Sequence, residues 1–115
     1  MDEEPLVGHV QEVRRGSVVV ACLAALRRPR HGYGLIDDLA AAGIDVGGDT
    51  LYPLLRRLER QGLLSSDWNT DESRPRKFYA TTPAGERVLA ALLDEWRALS
   101  TALDAVASDN PGDIP

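Results

Sequence analysis

Apolar residues recur at helical spacing in four stretches of this chain, and a polar stretch holding two short strand-like runs separates the last two. Residues 1–8 carry acids, Pro5 and Gly8 and are expected to be loose. The first helix is predicted from about His9 to Arg28. Its centre, Val18 to Leu26, is apolar nearly all round, as in a helix covered on every side, and Pro29 ends it. A second helix is predicted over Gly32 to Ala42, with Tyr33, Ile36 and Leu39 on one face and Gly43 as the left-handed stop. The third, DTLYPLLRRLERQG, is predicted from Asp49 to Gly62, with Pro53 tolerated near its start. Strand-like runs at about 63–68 and 77–81 flank a polar loop, 69–76, and read as a hairpin. A fourth helix is predicted from Thr82, its cap, to about Ser108, leaving 109–115 as a frayed tail.

Helix, helix, helix, hairpin, helix is the order of a winged helix-turn-helix. The fold class expected is therefore mainly α with a two-stranded β-hairpin: a winged helix over 9–81 and a long C-terminal dimerisation helix over 82–108. Around the third helix, at 100° per residue, Leu51, Leu54, Leu55 and Leu58 form the inner face. Pro53, Arg56 and Arg60 point the other way, flanked by Tyr52 and Arg57. A major groove accepts such a helix, and an arginine there pairs bidentately with guanine for roughly 1–3 kcal/mol of discrimination. Arg74, Arg76 and Lys77 follow at the hairpin, where a wing reaches phosphates. An ordinary solvated face, with Glu59 near Arg56 and Arg60, is the plainer reading of the same residues. Asp71 and Glu72 dilute the wing's charge.

In the last helix Leu89, Leu92, Trp96, Leu99, Leu103 and Val106 are spaced 3, 4, 3, 4, 3, the rhythm of a helix lying along another. Such a helix spans roughly 40 Å at 1.5 Å per residue, too long for one small domain to cover, so a twofold homodimer reading a palindromic site is expected; the plainer reading packs the stripe on the domain's own first helix, and the two are compatible because Val88 and Leu93 widen it. Trp96 in that seam is either core or the wall of a pocket for a planar aromatic ligand.

The net charge of −5 does not by itself favour nucleic acid. Distribution changes the picture: Arg56, Arg57, Arg60, Arg74, Arg76 and Lys77 fall within 22 residues, while acids gather at Asp2, Glu3, Glu4 and along the last helix. The charge and the acidic wing keep a second class in view, a winged-helix module that binds protein without DNA. Catalysis finds no support. His9 and His31 are the only histidines, no pair has metal-ligand spacing, and no glycine motif cradles a phosphate, so neither cofactor nor metal is expected. The lone Cys22, in an apolar run, cannot form an internal disulfide. With no leader and no apolar run near 20 residues, the expectation is a cytoplasmic protein with no membrane partner.

The runs HGYGLIDDL (31–39), DTLYPLLRRLERQGLL (49–64) and RPRKFYATTPAGERVL (74–89) resemble the PadR family of bacterial transcriptional regulators, over about residues 9–107. The resemblance implies a winged-helix dimer of the short form, usually a repressor released by a small effector. It assigns Thr50, Tyr52 and Arg56 to the recognition helix and Arg74, Arg76 and Lys77 to the basic wing. SSDWNTDES, RKFYATTPAG and EWRAL are similar to the multidrug-binding branch, which implies that Trp96 stacks on planar aromatic compounds in a central pore. Asp49 departs from the family's small residue before Thr50, and Asp94 and Glu95 beside Trp96 would suit a cationic effector.

Overall fold

Leucines at one-turn spacing account for how the chain closes on itself. The computed structural model describes residues 4–70 and 74–108. Its elements are α1 (Glu4–Arg15), α2 (Ser17–Ala25), β1 (Arg30–His31), α3 (Gly32–Ala41), α4 (Gly48–Arg60), β2 (Leu64–Asn69), β3 (Arg76–Thr81) and α5 (Pro83–Ser108). Cys22, Leu23 and Leu26 of α2, Leu35 and Leu39 of α3, and Leu51, Leu55 and Leu58 of α4 meet Leu64, Tyr79 and Leu89 in one buried cluster. Among the described residues no buried side-chain nitrogen or oxygen lacks a hydrogen-bond partner.

The first predicted helix is two. It begins at Glu4, so residues 4–8 are helical, and it breaks at Gly16, whose φ of −69° and ψ of −26° stay near helical values. Glycine weakens a helix by about 1 kcal/mol relative to alanine. The Ser17 hydroxyl also donates to the Arg14 carbonyl at 2.6 Å, drawing on an acceptor of the preceding turn. Tyr33, expected on the inner face of the second helix, is 76% exposed; Leu35 takes its place in the core. The expected tail 109–115 and the acids Asp71 and Glu72 lie outside the described residues.

The sheet has three strands, not two, in the order β1-β3-β2. The hairpin pairs Leu64 with Thr81 through to Asn69 with Arg76. The extra strand is the two residues after Pro29, with Arg30 opposite Tyr79 and His31 opposite Phe78. That pairing ties the start of α3 to the wing. Gly43 and Gly62, with φ of 93° and 77°, end α3 and α4 in the left-handed region, as expected for Gly43.

α5 is anchored only at its beginning. The Thr82 hydroxyl accepts from Gly85 N at 3.0 Å and donates to the Gly62 carbonyl at 2.7 Å. The Thr81 hydroxyl donates to the Leu23 carbonyl at 2.8 Å. Gly85 lies so close to Leu63 that an added Cβ would overlap its carbonyl oxygen. Beyond Leu93 every described residue of α5 is exposed. No helix among the described residues is long and apolar enough to cross a membrane.

Candidate nucleic-acid interface

The faces of α4 divide the expected site residues into three groups. Leu51, Leu55 and Leu58 are buried and hold the helix to the core. Opposite them Asp49, Pro53, Arg56, Arg57 and Arg60 are exposed. Leu54, expected in the core, is only half-buried and lines a groove with Arg15, Val18, Val19, Thr50 and Arg57. Thr50 thus faces α2, while Tyr52 faces α3 and the wing. Pro53 is the sixth residue of α4, deeper than a helix start, so the helix forgoes the bond its N–H would make to the Asp49 carbonyl. Both residues lie on the exposed face, where solvent reaches that carbonyl.

That face stays net positive, with Arg56, Arg57 and Arg60 set against Asp49. Glu59 turns away from the arginines: it accepts from the Ser66 hydroxyl of β2 and pairs with Lys77 of β3 at 3.4 Å. The Ser66 bond, then Lys77, holds its carboxyl below the usual range. Among the described residues Arg56, Arg57 and Arg60 form no ion pair. Glu59 therefore does not pair with its helical neighbours. Lys77, expected with the wing's phosphate contacts, is the other half of the exchange. It is half-buried, bound to Glu59, with its ammonium 5.3 Å from the Tyr79 ring centroid. It pins the wing to α4 rather than extending from it. Arg74 and Arg76 are exposed.

Between the start of α3, α4 and the wing lies a cleft of about 450 Å³ lined by Tyr33, Tyr52, Arg74 and Arg76. The Tyr52 ring packs over Gly32 and Gly48, where a Cβ on Gly48 would come within 2.9 Å of it. Burial, with Tyr33 and Tyr79 nearby, pushes the Tyr52 phenol above its ordinary value, so it remains a donor. His31 caps α3 by accepting from Gly34 N at 3.2 Å.

The seam residues fall on both sides of the surface. Leu89 is 1% exposed and belongs to the domain's own core, a correction to its expected place against a partner: it lies on the first two turns of α5, over α2. Leu92 is half-buried. Trp96, Leu99, Leu103 and Val106 are 42%, 53%, 58% and 71% exposed. α1 carries a matching stripe that sequence reading missed, Leu6, Val7, Val10 and Val13, each at least 41% exposed. Its signal was the 3–4 spacing of apolar residues that runs from the segment expected to be loose into the first predicted helix. Val19, Val20, Leu92, Glu95 and Trp96 border a groove of about 320 Å³ between α2 and α5. Asp94 is instead paired with Arg97 at 3.3 Å. Burial pushes the Cys22 thiol up to about 12, which makes it inert at neutral pH. No group of three or more His, Cys, Asp or Glu among the described residues is placed to hold a metal.

Comparison with known proteins agrees with this arrangement. The sequence profile of the transcriptional regulator PadR-like family matches residues 21–91. The transcriptional regulator Rv3488 of Mycobacterium tuberculosis is 45% identical over 69 residues, which span 60% of this chain and 62% of that protein. The crystal structure of a PadR family transcriptional regulator from Eggerthella lenta superposes with a TM-score of 0.90 at 42% identity, covering 94% of this chain and 96% of that one. A PadR family regulator from Clostridium difficile shares the fold with a TM-score of 0.72 at 22% identity, over 79% of this chain and 98% of its own. With an outward arginine helix, a three-stranded wing sheet and a profile match over most of its length, the chain belongs to the PadR-like family of transcriptional regulators, which are not enzymes.

Proposed function

We propose that this protein is a homodimeric, sequence-specific DNA-binding repressor. The observation that carries the reading is the outward face of α4, where Arg56, Arg57 and Arg60 are exposed while the one acid of that stretch is drawn off to the wing. Arg56 reads base edges; Thr50, Tyr52, Arg57 and Arg60 set the helix in the groove; Arg74 and Arg76 hold flanking phosphates. Two exposed apolar stripes, on α1 and on the distal half of α5, support a partner subunit as their cover. Two copies about a twofold axis would read half-sites of a palindrome one helical turn, about 34–36 Å, apart.

The groove beside Trp96 is the place for a small planar effector, and Glu95 on its border favours a cationic one. Such a ligand releases DNA by preferring a dimer angle that spoils half-site spacing, since equal affinity for both angles would shift nothing. Selecting bound duplexes from a random pool tests the reading. A palindromic consensus whose affinity falls steeply with salt is the expected result. A protein that retains no duplex at low salt, or retains duplexes without a salt slope, is instead the protein-binding module that the net charge of −5 suggests.

A further inference from the structure

The arginines of α4 do not all lean the same way. At 100° per residue Arg56 leans toward the flank of Tyr52 and Glu59, where the wing packs, and Arg57 lies about 100° further round, toward α2. On that second flank Arg57 and Arg60 meet Arg15, from the last turn of α1, around a groove of about 430 Å³. Val18 of α2 and Leu54 of α4 form its apolar floor, and Thr50 forms part of its wall. The three arginines and Thr50 are exposed, and among the described residues none of the three guanidinium groups forms an ion pair. No acid among the described residues lines the groove; Asp45 lines the next hollow along α2, with Arg14. Arg15 is held beside α4 through its neighbour. Arg14 donates to the Gly43 carbonyl, in the turn between α3 and α4, at 3.3 Å, and its own carbonyl accepts from the Ser17 hydroxyl at 2.6 Å.

We propose that Arg15, Arg57 and Arg60 form a clamp for the phosphodiester backbone of the DNA strand that lies on the side of α4 away from the wing. The inference rests on the DNA-binding reading and deepens it, because it brings α1 into the interface and gives a role to Arg15, which the sequence did not single out. A helix in a major groove runs between two phosphate strands. The wing, with Arg74 and Arg76, stands at one of these walls, and the groove between α2 and α4 faces the other. Like charges around one hollow repel, and a phosphate among them turns that repulsion into attraction. Guanidinium forks match phosphate oxygens in pairs, so the clamp fixes position as well as adding charge. The floor of Val18 and Leu54 suits the apolar face of a deoxyribose, and the Thr50 hydroxyl is a further donor at the rim. Backbone contacts carry no sequence, so the clamp sets where Arg56 meets the bases without reading them.

Arg15→Gln keeps much of the side chain and removes the charge. Arg15 is exposed, so the variant is expected to unfold at the wild-type temperature and remain a dimer. It should bind specific and random duplexes about tenfold more weakly per half-site. The magnitude of its salt slope should fall by about 0.9 per half-site, about 1.8 per dimer, with the selected consensus unchanged. Arg15→Lys should restore the slope, because it restores the charge. Replacing backbone phosphates one at a time by methylphosphonate should then find positions that weaken the wild type and leave Arg15→Gln unaffected. These should lie on the strand across the major groove from those silenced by Arg76→Ala. Wild-type affinity or salt slope in Arg15→Gln, an altered consensus, a monomeric variant, a slope that Arg15→Lys does not recover, or positions shared with the wing overturns the clamp while the DNA reading stands. Absence of salt-dependent duplex binding by the wild type brings down both.

Discussion

Gly85→Ala is a small substitution whose sign the structure decides. In the middle of an exposed helix it would stabilise by up to about 1 kcal/mol, because alanine loses less conformational freedom. At the third residue of α5 the new Cβ would overlap the Leu63 carbonyl oxygen and stand 2.7 Å from Thr81 Cγ2 and 3.1 Å from the Leu63 carbonyl carbon. Carbon atoms prefer about 3.5–4.0 Å, so α5 must retreat by about 1 Å. Overpacking of this kind costs about 1–3 kcal/mol. The retreat also strains the joint made by Thr82 N to the Leu63 carbonyl, 3.1 Å, and the Thr82 hydroxyl to the Gly62 carbonyl, 2.7 Å, each worth about 1 kcal/mol. Set against the propensity gain, the net loss is about 2–4 kcal/mol, a fall in Tm on the order of 8–16 °C for a domain this size. Gly8→Ala is the control. Nothing lies within 4 Å of a Cβ there, and at 100° per residue Gly8 faces away from the stripe of Leu6, Val10 and Val13, so it should hold or raise Tm. Thermal unfolding followed by circular dichroism, at one protein concentration because a dimer's Tm depends on it, reads both. A Gly85→Ala protein as stable as the wild type would refute the claim that α5 is seated by this close approach.

Arg56→Ala should relax preference at one base pair per half-site by about 1–3 kcal/mol while leaving the others, as read by selection from a random pool; an unchanged consensus removes Arg56 from base reading. Arg76→Ala should weaken specific and random duplexes alike. It should reduce the magnitude of the salt slope by about 0.9 for each phosphate that is no longer neutralised, about 1.8 per dimer; a changed consensus would mean the wing reads bases. Trp96→Ala is expected to keep DNA affinity and lose the response to a planar aromatic cation. Quenching of the indole fluorescence in a Trp68→Phe background follows the same ligand directly, and a monomeric Trp96→Ala would make that ring structural. Glu59→Gln should lower stability at neutral pH. Because the native carboxyl is held below its ordinary value by Ser66 and then Lys77, its contribution is present above the unfolded value, about 4.3, and disappears as pH falls through the native one. The gap between variant and wild type should therefore close in acid; a gap independent of pH would show that the ionised carboxylate is not what matters.

Periodicity alone placed α3, α4, the hairpin and α5 within one or two residues, because the signals involved are local: leucines one turn apart, Gly43 and Gly62 where the helix must stop, Thr82 before Pro83. The outward position of Arg56, Arg57 and Arg60 follows from the same arithmetic, since burying Leu51, Leu55 and Leu58 fixes what the rest of a helix can face. The amino-acid order did not reveal which partner each charged side chain takes. Glu59 is nearest in sequence to three arginines yet bonds across space to Ser66 and Lys77, and this redirection both anchors the wing and leaves the reading face positive. β1 was equally hidden, for two residues carry no period, and the strand exists only because β3 passes beside them. The break at Gly16 and the exposed stripe of α1 belong with it. Whether an apolar face is core or surface is set by what packs on it: Leu89 is closed off by α2, Leu99 three turns on is left open, and the heptad treats the two alike.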